Sequence, residues 1–209
     1  MIPFRALRGR LLAGFVAAMS VVGFASCDSP TALRTGELTL LLTDAPGDVV
    51  TAVVTIDQIY LQPSEDSDAG RIILRDDDVT TNLLTLVDDT QGLIAGFTIP
   101  VGTYTQLRFV ISGAYIEVEQ EGGSKLLYAS SSTYAGLPAG ATVNGTLQMP
   151  SFAQTGLKVT LPGDAIVINE DETVTLVIDF DVSQSFGQVA GGSGIWAMTP
   201  VLTATPPTE

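Results

Sequence analysis

Apolar and polar residues alternate with a period of two along most of the chain, the spacing that sends every second side chain to one face of a strand. ELTLLLTD (37–44), TAVVTIDQIYLQ (51–62), GRIILR (70–75), TYTQLRFVIS (103–112), AYIEVEQ (114–120) and ETVTLVIDF (172–180) carry this pattern and are rich in leucine and β-branched residues. Between them, DAPGD, EDSDAG, EGGSK, LPAG, LPGD and NEDE supply the Gly, Pro, Asp and Asn of tight reversals. About ten short strands at this spacing predict an all-β domain, a single two-sheet β-sandwich. Helical spacing occurs at TTNLLTLVDD (80–89), through Leu83, Leu84 and Val87, where the threonines argue equally for extended chain. GIWAMTPVLTATPPTE predicts one last strand, with Trp196 as a core anchor and an aromatic platform for a sugar ring as its alternative, and then a proline-rich tail at 204–209.

The first 26 residues break the alternation. Arg5, Arg8 and Arg10 precede an apolar run from Leu11 to Ser26, and no acidic residue appears before Asp28. This is the pattern of a signal peptide, and the run is shorter than the roughly 20 residues a spanning helix needs. It ends at Cys27, the only cysteine of the chain, with Ala25 and Ser26 just before it. The junction resembles the bacterial lipobox, in which the thiol is acylated and cleavage leaves the cysteine as the first residue. Phe24 departs from the leucine usual there, so plain secretion and an uncleaved anchor stand as alternatives. The expected organisation is a leader at 1–26, a lipidated cysteine and spacer at 27–36, the sandwich at 37–203 and the tail at 204–209. Asp28 resembles the inner-membrane retention signal of enteric bacteria, which leaves open whether the expected lipid anchor sits in the cell membrane or the outer membrane.

Charge narrows the partners. Three of the nine Lys and Arg lie in the leader, leaving six against twenty-three acids, about −17 for the mature chain. Nucleic acid is not an expected partner, because phosphate binding needs clustered cations and Arg34, Arg71, Arg75, Arg108, Lys125 and Lys158 are scattered. The mature chain has no second cysteine for an intrachain disulfide, so its core alone must hold the fold.

Five separated segments carry a family resemblance: LTLLLTDAPGDVVTAVVTIDQIYLQ, NLLTLV, IPVGTYTQLRFVISGA, PSFAQTGLKV and TLVIDFDVSQSF, in that order. Together they resemble the DUF4382 domain family of exported bacterial and archaeal proteins, often lipoproteins. The resemblance covers about residues 37 to 203. It implies an exported sandwich of immunoglobulin-like or transthyretin-like type and supplies no active site.

The absence of histidine removes Ser-His-Asp triads, imidazole bases and His-ligated zinc. An enzyme is not expected. A hydrolase working through paired carboxylates is the outside alternative, and Ser151 with Lys158 is a thin nucleophile and base. The acidic arrangement that stands out is ETVTLVIDFD, where Val174, Leu176, Ile178 and Phe180 share one face while Asp179 and Asp181 project from the other. Strand residues two apart are separated by about 6.5 to 7 Å, a spacing at which carboxylates can flank Ca²⁺. Asp44 and Asp48 of DAPGD would complete such a site if the fold brings that loop beside the end of the 172–181 strand. The competing roles are an Asx-turn for Asp44 and a solvated face for Asp179 and Asp181.

Two functional classes follow: a non-enzymatic binding or structural module held at the membrane by lipid on Cys27, and a receptor for carbohydrate or calcium. The partner of the first is an envelope protein or carbohydrate. The second expects exposed aromatics or carboxylates at one loop end, with Tyr60, Tyr104, Tyr115, Tyr128 and Tyr134 as the aromatic candidates and the ASSST stretch between the last two as a binding loop or a solvated one.

Overall fold

The alternating segments pair into two sheets. The computed structural model describes residues 33–45, 49–64, 70–149, 156–189 and 194–207, all within the unit Leu33–Glu209. The smaller sheet has four strands in the order β14 (Leu202–Thr205), β11 (Thr173–Asp181), β1 (Thr35–Ala45) and β5 (Gln91–Pro100). The larger runs β12 (Phe186–Gln188), β13 (Trp196–Met198), β8 (Gly145–Gln148), β7 (Lys125–Ala129), β6 (Gly102–Glu119), β2 (Thr51–Pro63) and β3 (Ile72–Arg75). β4 (Val79–Asn82) also pairs with β2, while β9 (Leu157–Val159) and β10 (Ile166–Ile168) pair with β6.

Alternation fills the space between the sheets. Leu38, Leu40 and Leu42 of β1 and Leu176, Ile178 and Phe180 of β11 are buried, and parallel pairing sets Leu40 beside Leu176 and Leu42 beside Ile178. From the larger sheet Ile56, Ile59, Leu61, Leu107, Phe109 and Ile111 complete the same core. The sheets are also joined at two margins. Thr160, just past β9, accepts from Ala204 N at 2.8 Å and donates its own N–H to Leu202 O at 2.9 Å. On the other side Arg75 Nη1 of β3 donates to Leu93 O of β5 at 2.8 Å. Such contacts occupy strand edges that would otherwise offer unpaired backbone to another chain.

The structure has fourteen strands among the described residues, more than the alternation predicts, because several are three- or four-residue pieces too short to show a period. One expected boundary disappears. Gly113 does not end a strand, and β6 runs through it as an 18-residue strand with a register shift against β2 between Thr55 and Ile56. The 80–89 segment is divided: β4 ends at Asn82, whose side chain caps a single 3-10 turn over Leu83–Leu86 by accepting from Leu84 N at 3.3 Å. The last segment forms two strands, β13 and β14, separated at Pro200. Trp196 is half-buried rather than central, its ring centroid 5.9 Å from that of Tyr128.

Residues 130–144 form a strap over the outer face of the larger sheet. β7 and β8, which they connect, are parallel neighbours, and parallel pairing requires a crossover of about a dozen residues or more. Tyr134, Leu137, Ala141 and Val143 of the strap pack on Val53, Tyr115, Leu127 and Ala129, a second small core. A Cβ at Gly113 would run into the Tyr134 ring, so glycine is what lets the ring lie against the strand.

Candidate functional site

The parallel register of β1 and β11 places the aspartates. Thr43 lies beside Asp179, Asp44 beside Phe180 and Ala45 beside Asp181. β1 therefore ends beside the end of β11. Neighbours in register point to the same face, and successive residues to opposite faces. Asp44 accordingly shares the core-side face with Phe180 and is only 6% exposed, whereas Asp179 stands on the outer face between Thr43 and Thr203. Asp48 and Cys27 lie outside the described residues, as does Ser151. Among the described residues, no group of three or more acidic, His or Cys side chains is arranged to hold a metal ion.

Each of the three described aspartates has its own local setting. Asp44 Oδ1 accepts from Val182 N at 3.2 Å. Asp181 caps the helical turn Val182–Ser185, its Oδ1 accepting from Ser183 Oγ at 2.6 Å and Gln184 N at 3.0 Å, and its Oδ2 from Gln184 Nε2. The bond from Ser183, followed by those from Gln184, holds the Asp181 carboxyl below the ordinary range. Asp179 is the opposite case. Burial first, and then the Asp181 charge, push its carboxyl up, and its buried Oδ1 has no hydrogen-bond partner among the described residues. Two carboxylates two residues apart thus titrate in opposite directions because one is bonded and the other desolvated.

The tyrosines serve packing. Tyr60, Tyr104, Tyr115 and Tyr128 are buried and Tyr134 is half-buried, so they form no exposed aromatic platform. The Arg71 guanidinium stacks 4.7 Å from the Tyr60 ring centroid, and Tyr104 OH donates to Pro100 O at 2.8 Å. The ASSST stretch is neither bare nor detached: Ser130 Oγ accepts from Ala114 N at 3.1 Å, and Tyr134 OH is 2.6 Å from Thr55 Oγ1. Lys158 is exposed on β9, in register with Arg108.

The sequence reading missed a groove between the strap and the β6–β7 pair, with a cavity volume of about 420 Å³. Glu117 and Lys125 line it from the sheet, Thr142 and Asn144 from the strap. In sequence Glu117 and Lys125 read as a solvated strand face, and nothing local signals that Thr142 and Asn144 fold back over them.

These features define an acidic β-sandwich with a strapped outer sheet face. Residues 35–200 match the family described as domain of unknown function (DUF4382), and the chain belongs to that family. No curated protein and no solved structure matches the chain.

Proposed function

We propose that this protein is a lipid-anchored module of the cell envelope, tethered through Cys27 and working as a non-enzymatic binding or structural domain. The observation that carries the reading is the lone cysteine at the end of a run that is first basic, then apolar, and followed at once by acidic and turn-forming residues. A diacylated or triacylated amino terminus holds a protein at a membrane where a single chain does not. The non-enzymatic half rests on the missing histidine and on the structural tasks of Asp44 and Asp181 as backbone acceptors.

Intact-mass measurement on the membrane fraction tests the anchor. The expected species begins at Cys27 and carries the mass of the acyl chains, and Cys27→Ser protein leaves the membrane fraction. A mature chain starting elsewhere, or Cys27→Ser protein that stays membrane-bound and normally processed, overturns it.

A further inference from the structure

We infer that the groove between the strap and the β6–β7 strands is a binding site for a saccharide unit, recognised through its hydroxyl groups. This rests on the binding half of the function proposed above and is independent of the anchor on Cys27. The cavity, about 420 Å³, falls within the range of about 300 to 1,000 Å³ in which small ligands are held. Its walls are fixed. Tyr134, Leu137, Ala141 and Val143 pin the strap to the sheet, the Tyr134 hydroxyl meets Thr55 Oγ1 at 2.6 Å, and Ala141 N donates to Pro138 O at 3.0 Å to close the turn at the rim.

The polar groups are placed rather than loose. Glu117 Oε2 accepts from Thr51 Oγ1 at 2.6 Å, which holds the carboxylate in one orientation and leaves Oε1 as an acceptor. Asn144 is bound to β7 twice, its N–H donating to Leu127 O at 2.8 Å and its Oδ1 accepting from Leu127 N at 2.9 Å. That commits the amide oxygen and leaves the Nδ2 hydrogens as donors. Lys125 adds an ammonium and Thr142 a hydroxyl, while Leu127 and Pro138 contribute apolar surface. An acceptor carboxylate, amide and ammonium donors and a small apolar patch match a ring that presents both donating and accepting hydroxyls and a face of C–H groups. One charge of each sign leaves the site without a net demand for a charged ligand. Among the described residues no aromatic ring lines the groove, so the expected affinity is that of a few hydrogen bonds, a Kd on the order of 1 to 10 mM.

The test uses the full chain in a detergent without a sugar headgroup, with glucose, galactose, N-acetylglucosamine and maltose as probes at up to about 100 mM and glycine and glutamate as controls. Saturation-transfer NMR and melting temperature are read together. The expected result is saturable binding of at least one saccharide, weakened about tenfold or more by Glu117→Gln and abolished by Ala139→Trp, which fills the groove from an exposed rim position. Both variants should melt as the parent does without ligand, and Thr142→Val provides a third probe if either does not. No saturable saccharide binding, binding that survives Ala139→Trp in a folded protein, or saturation by the amino acids alone overturns the inference. None of these outcomes bears on membrane fractionation of Cys27→Ser, so the two readings fail separately.

Discussion

The Asp44 carboxylate accepts a hydrogen bond from the Val182 backbone N–H at 3.2 Å, linking positions 138 residues apart in sequence. It ties the end of β1 to the helical turn that follows β11, and Asp44 also forms a parallel bridge with Val87 after the 3-10 turn. One buried residue therefore joins three separate stretches of chain at one end of the smaller sheet, its side chain reaching the turn after β11 and its backbone the segment after the 3-10 turn.

Asp44→Ala removes the acceptor and leaves the buried Val182 donor without it, a change expected to cost about 1 to 3 kcal/mol. Asp181→Ala removes a helix-turn cap at a more exposed position and should cost about 1 kcal/mol. Urea denaturation of both variants checks the order. Equal losses would mean that burial of the Asp44 bond adds nothing.

Asp179 and Asp181 should give stability opposite slopes with pH. The folded Asp179 carboxyl titrates above its unfolded value, so the folded state binds more protons across that window. Its contribution is present below about pH 4 and is lost as pH rises through the raised value. Asp181 titrates below its unfolded value, so its contribution is present above about pH 4 and is lost as pH falls through the lowered value. Asp179→Asn should consequently raise the melting temperature at pH 7, and Asp181→Asn should lower it. Melting curves from pH 3 to 7 decide the matter, and a destabilised Asp179→Asn protein at pH 7 would contradict the desolvation of that carboxyl.

The strap depends on a glycine and a tyrosine acting as a pair. Tyr134→Phe loses the hydroxyl contact to Thr55 and should cost about 1 kcal/mol. Gly113→Ala places a methyl group in the space of the Tyr134 ring and should lift the strap, which limited proteolysis between residues 130 and 144 would detect. In a Tyr134→Ala background the same Gly113→Ala change should be milder, with a coupling of about 0.5 to 3 kcal/mol. Strict additivity would show that the ring and the glycine are not in contact.

Face assignment in β11 predicts unequal losses. Phe180 is fully buried, and Phe180→Ala should cost about 3 to 5 kcal/mol. Val177 lies on the outer face beside Leu41 and Thr205, and Val177→Thr should cost below about 1 kcal/mol. Chemical denaturation of the two variants measures the difference directly.

What the sequence determined by itself is the local part of this description. A period of two needs only neighbours along the chain, so the alternation in β11 already separates buried Leu176, Ile178 and Phe180 from outward Asp179. Val174, assigned to the same inner face, is half-buried because it lies near the start of the strand. The pairing partners were not legible, because alternation says which way a side chain points and nothing about which strand lies beside it. Only the parallel register of β1 with β11 decided that Asp44 is a buried brace facing away from Asp179. Gly113 shows the same limit from the other side: it reads locally as a break, and tertiary packing makes it the seat of Tyr134 within a continuous strand. The groove is the extreme case. Glu117 and Lys125 on the sheet meet Thr142 and Asn144 only because the parallel pairing of β7 and β8 forces the intervening chain across the sheet face.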